Sequence, residues 1–126
     1  MVDDYEKHEA ECKRIRTENG KLLEGFSEWL SAKGLSAKTI QTHCGNVDFY
    51  INHFLLYEDA EEASSGIDRI GEFLGHWFIR KAMWANQSAI KSNAASLKKF
   101  YTFMFEKGKV NKDALDDLKA EIKEEM

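Results

Sequence analysis

Apolar residues recur along this chain at spacings of three and four rather than in alternation. That period belongs to helices that each bury one stripe, so the pattern predicts an all-α fold. Leu22, Leu23, Phe26, Trp29 and Leu30 form the first stripe. Their helix is expected to span residues 4–33 and to end at Gly34 in a left-handed conformation. Its first half, 4–19, has only Tyr5, Cys12 and Ile15 as apolar residues and reads as a solvated or frayed extension. Ser36 is a suitable cap for a second helix, with Ile40, Cys44, Val47, Ile51 and Phe54 inward. Gly45 inside that helix costs about 1 kcal/mol in propensity, which a close helix crossing would explain.

The acidic, small-residue stretch 57–66 reads as a loop joining two halves of the fold. Asp68 is the expected cap of a third helix running to about residue 85. Ile70, Phe73, Leu74, Trp77 and Phe78 face inward there, and Met83 and Trp84 close the core. Asn86-Gln87-Ser88 reads as a turn. A fourth helix follows with Ile90, Ala94, Leu97, Tyr101 and Met104 inward, widened by Phe100 and Phe105. Phe103 belongs to an aromatic cluster that reads as core, but it falls off this stripe, and exposure there would mark a partner surface. Gly108 ends the helix, and Asn111 caps a last one with Ala114, Leu115, Leu118 and Ile122 inward. The expected architecture is one helical domain over residues 1–126. It comprises a compact four-helix bundle at 20–110, a polar extension at 1–19 and a charged terminal helix at 111–126.

Composition changes this picture little. A chain of 126 residues is one domain by length. Proline is absent, which favours uninterrupted helices. Two cysteines, Cys12 and Cys44, make no disulfide framework and suit a reducing compartment. There is no apolar run of membrane-spanning length, and the first residues are acidic and polar rather than signal-like. A cytoplasmic location is expected.

Charge is more informative. The net charge is −4, so a uniformly basic nucleic-acid binder is excluded. Yet there is no acid between Glu28 and Asp48, nor between Glu72 and Glu106. The two windows hold Lys33, Lys38, Arg80, Lys81, Lys91, Lys98 and Lys99. Their outward positions include Gln41, Thr42, Asn46, Asn86, Gln87, Ser88, Ser92 and Asn93. Phosphate contacts use Lys, Arg, hydroxyls and helix N-termini, and base edges are read by Asn, Gln, Arg and Lys on a helix. The same lysines also suit a merely solvated helix face.

Other chemistry finds little footing. His8 and Cys12 have a metal-compatible spacing, but no second pair joins them, and no metal or other cofactor is expected. Cys44 lies on an apolar stripe, where a thiol is inert. There is no phosphate-binding glycine loop.

The segment Leu35-Ser36-Ala37-Lys38-Thr39-Ile40, followed by Val47 and Tyr50, resembles the start of the core-binding domain of tyrosine recombinases (phage integrases). So do Ile70, Phe73 and Leu74, and then Leu97-Lys98-Lys99-Phe100-Tyr101 with Gly108-Lys109-Val110. The resemblance covers about residues 20–112. Four positions depart from it: His43 stands for the usual Tyr, Ala89 for Ser or Thr, and Asp113-Ala114 for Asn-Pro.

The resemblance implies a SAM-like four-helix domain that grips one side of a DNA duplex through its second and fourth helices. Those are the two acid-free windows. It also implies that catalysis belongs to a separate C-terminal domain, of which this chain shows nothing, so no enzymatic activity is expected. On this basis Lys38, Arg80, Lys81, Lys91, Lys98 and Lys99 would neutralise phosphates. Ser36, Thr39 and Thr42 would add hydroxyls near the second helix N-terminus. Gln41, Gln87, Ser88, Lys91 and Ser92 would reach a groove. The rival expectation is a protein-interaction or oligomerisation module working through the terminal helices.

Overall fold

The computed structural model describes residues 4–57, 59–77 and 86–125, and among them the fold is all-α, with no strand. Helix α1 spans Asp4–Ala32 and α2 spans Ala37–Phe49, continuing as a π turn over Tyr50–Phe54. A 3-10 turn, Ser65–Arg69, leads into the one-turn α3, Ile70–Glu72, and a second π turn, Phe73–Trp77. Then come α4, Gln87–Glu106, and α5, Lys112–Glu125. Helix α2 packs on both α1 and α4, while α5 lies against α4, α3 and the 3-10 turn.

The caps follow from local chemistry. Thr39 N–H donates to Ser36 Oγ at 3.2 Å, and Ala114 N–H to Asn111 Oδ1 at 2.8 Å. Gly34 and Gly108 end α1 and α4 with φ of 86° and 75°, a region L side chains avoid. At Gly108, Lys109 N–H returns to Met104 O, as in helix ends closed by a left-handed residue.

One apolar cluster takes residues from every element, from Phe26 and Leu30 to Leu115, Leu118 and Ile122. Phe26 is its aromatic hub between α1 and α4, edge-on to Phe100 at 5.3 Å. A second aromatic group, Tyr50, Phe54 and Phe73, joins the two π turns with centroids 4.9–5.3 Å apart.

Several expectations need correction. The polar half of α1 is not a frayed extension: Cys12 and Ile15 are buried against Leu56. Asn19, 1% exposed, explains the docking. In the π turn Leu55 N–H reaches back to Tyr50 O, and Asn19 Nδ2 donates to Ile51 O at 3.2 Å and to Asn52 Oδ1 at 2.8 Å. Gly45 faces open space, so no close crossing explains it. Asp68 caps nothing, because the chain is already turning from Ser65. Asn86 is a helix cap rather than part of a turn: its Oδ1 accepts from Ala89 N–H at 2.8 Å, so Gln87 and Ser88 belong to the first turn of α4. Phe103 is 2% exposed, because it tucks against Phe26 and Trp29 beside Gly25, while Phe105 is the exposed one. Phe78, Met83, Trp84 and the Trp77 side chain lie outside the described residues.

Candidate nucleic-acid interface

Each window contains a helix N-terminus without an acid in its first turn. An acid is the usual complement of the helix dipole there, and its absence leaves the local potential positive. In α2 the first turn carries Lys38 instead. Ser36, Lys38, Thr39, Gln41 and Thr42 are all exposed. Thr39 and Thr42 are partly committed locally. Ser36 Oγ bonds Thr39 Oγ1 at 2.9 Å, and Thr42 Oγ1 donates to Lys38 O at 3.1 Å.

A polar seam sets α2 beside α4. Asn46 Nδ2 donates to Ser92 Oγ at 3.1 Å and to Ser96 Oγ at 2.9 Å, and His43 Nδ1 lies 2.7 Å from Ser96 Oγ. Ser96 also donates to Ser92 O at 3.0 Å, and with its only proton spent there His43 donates from Nδ1. The bonded pairs run in opposite directions along the two helices, which are therefore antiparallel. Lys99 lies close enough to act on His43: burial and this like charge, in that order, hold the imidazole below its ordinary pKa.

Side chains fall on either side of this seam. Gln87, Ser88, Lys91, Lys98 and Lys99 are exposed. Lys91 and Lys98 are two turns apart, on one stripe roughly 10 Å long. Ser92 does not join them. It is half-buried in the seam, where its hydroxyl accepts from Asn46. Asn46 and Asn93, also expected outward, are turned in as well. Asn93 is 4% exposed, and its Oδ1 has no partner among the described residues. Arg80 and Lys81 lie outside the described residues.

Ion pairing among the described residues is confined to two arginines, and no lysine takes part in it. Arg14 pairs with Glu11, Glu18 and Glu62, and Arg69 with Glu61 and Glu72. No such carboxylate partner occurs among the described residues for Lys38, Lys91, Lys98 or Lys99.

Next to the seam is a groove of about 470 Å³, lined by Trp29, Lys33, Lys98, Lys99 and Lys119, with no acid in its walls among the described residues. Trp29 and Lys119 were not legible as site residues. Trp29 sits on a core stripe, and Lys119 is surrounded in sequence by Asp116, Asp117 and Glu121.

Among the described residues no group of three or more His, Cys, Asp or Glu side chains is placed to hold a metal ion. His8 Nε2 lies 3.5 Å from Cys12 Sγ. Burial pushes both thiols up, away from the reactive thiolate. No helix among them is long and apolar enough to cross a membrane. Comparison with family models, with curated proteins and with solved structures finds no match to this chain.

Proposed function

We propose that this chain binds double-stranded DNA through the outer faces of α2 and α4, without catalysing a reaction on it. One observation carries the proposal. Two acid-free windows, separated in sequence by an acidic stretch, lie side by side across the His43–Asn46–Ser92–Ser96 seam. Lys38, Lys91, Lys98 and Lys99 then flank one surface and serve phosphates, with Gln41, Gln87 and Ser88 for the groove. The acidic balance elsewhere helps orient the chain, because a polyanion is drawn to a basic face and repelled by acidic ones. The sequence's likeness to recombinase core-binding domains supports the same two helices.

The test is anisotropy of a labelled duplex of about 30 base pairs at low and moderate salt. Contact with about five phosphates gives a log–log salt slope of roughly −4 to −5. The triple change Lys91→Glu/Lys98→Glu/Lys99→Glu abolishes binding. Absence of binding to mixed-sequence DNA at low salt, or binding indifferent to salt, overturns the proposal and favours a protein-interaction module.

A further inference from the structure

The groove beside the seam joins three helices. Trp29 and Lys33 come from the end of α1, Lys98 and Lys99 from α4, and Lys119 from α5. The groove shares Lys98 and Lys99 with the α2–α4 surface, and Lys33 and Lys119 extend it beyond that surface. None of its four lysines has a carboxylate partner within ion-pair distance among the described residues. Four ammonium groups around one hollow, with no acid in its walls among the described residues, add their potentials and favour the entry of an anion.

The walls narrow the kind of anion. Trp29 offers no stacking surface for a base. Lys33 Nζ sits over its ring, 4.8 Å from the centroid, and Phe26 stacks on the ring at 6.1 Å. Its Nε1 is committed to Glu106 Oε1 at 3.1 Å. What remains is positive charge on flexible stems, the form in which lysine meets phosphate oxygens. Four such charges exceed what one phosphate neutralises, and a hollow of about 470 Å³ has room for more than one.

We infer that the groove formed by Lys33, Lys98, Lys99 and Lys119 beside Trp29 is a binding site for linked phosphate groups. Two sources share that chemistry: successive phosphodiesters of a DNA strand, and a free polyphosphate chain.

The Trp29 indole N–H is a reporter built into the wall. In the ¹⁵N-labelled full chain its signal is assigned with Trp29→Phe and followed during titration with inorganic tripolyphosphate at constant ionic strength. Saturable shifts are expected, with affinity at least tenfold above that for orthophosphate. Lys33→Gln/Lys119→Gln lowers that affinity tenfold or more, while both side chains are at the surface and the melting temperature holds. Tripolyphosphate binding no tighter than orthophosphate, or untouched by the double change, overturns the inference.

A second titration, with duplex added to the tripolyphosphate-loaded protein, separates the sources. Displacement identifies DNA backbone as an occupant of the groove, and simultaneous binding identifies a separate site for the free anion. Tripolyphosphate binding without any duplex binding sustains the groove and removes the DNA proposal. Duplex binding without tripolyphosphate binding does the reverse.

Discussion

Tyr50 and Tyr101 donate their hydroxyls into one short stretch of loop: Tyr50 to Gly66 O at 2.5 Å, Tyr101 to Ala63 O at 2.7 Å. Both rings are fully buried. The loop is thereby held against the core although its sequence is small and acidic. A Cβ on Gly66 would overlap Leu55 Cδ1 and come within 3.1 Å of the Tyr101 hydroxyl, so the backbone approaches as closely as only glycine allows.

Removing the Tyr101 hydroxyl leaves Ala63 O only its longer bond from Gly66 N–H at 3.2 Å, so Tyr101→Phe is expected to cost about 0.5–1.5 kcal/mol. Denaturant melts measure it, and a loss near zero would mean the loop finds another donor. Burial also raises both phenols well above the ordinary tyrosine pKa. A raised native pKa gives stability that is complete below the unfolded value of about 10 and is lost as pH climbs through the native one. Alkaline unfolding should therefore coincide with ionisation of these two phenols in absorbance titrations.

Asn19 makes a second prediction. Asn19→Leu keeps the size of the side chain but strips the donor from Ile51 O and Asn52 Oδ1. The expected loss is about 1–3 kcal/mol. Amide exchange should quicken around residues 51–56, where the widened turn loses its outside donor. Unchanged exchange there would assign the polar half of α1 no part in holding the turn.

These two sites mark what sequence periodicity misses. The stripes of α1, α2, α4 and α5 were legible, because burying one helix face imposes its own spacing. So were the caps Ser36 and Asn111 and the terminators Gly34 and Gly108. Asn19 was not, because its partner is a carbonyl served from outside a π turn that no spacing rule announces. Phe103 was ambiguous because the width of a buried stripe depends on the neighbour, here α1 at Gly25. Asn86 was ambiguous because asparagine suits a turn and a cap equally. The lysines of α2 and α4 stood out once acids were mapped along the chain. Ser92 turned inward because the seam between those helices is itself polar. Lys119 needed the packing of α5.

Lys38 separates function from stability by sign. It lies in the first turn of α2, where a cation opposes the helix dipole. Lys38→Glu should therefore stabilise the fold by about 0.3–1 kcal/mol at low salt. The same change should weaken duplex binding and make the salt slope shallower by about one, if the residue meets a phosphate. Thermal melts and anisotropy on one preparation read both effects. A destabilised protein, or unaltered DNA affinity, would show that Lys38 is placed for another reason.

His43 gives the pH dependence of the seam. Its native pKa is depressed from 6.5, first by burial and then by Lys99. Above the unfolded value both states are neutral, and the stability is complete. As pH falls below it, the unfolded chain takes up a proton that the native imidazole refuses, so stability declines. The decline is finished once pH has passed through the depressed native value. Lys99→Gln removes the like charge, raises the native pKa and shrinks the decline. NMR titration of the His43 ring and melts between about pH 5 and 7 follow the two together. Bound duplex should act in the same direction as Lys99→Gln, because a phosphate near Lys99 offsets its charge at the imidazole. A His43 titration that ignores saturating duplex would place the DNA away from the α2–α4 face.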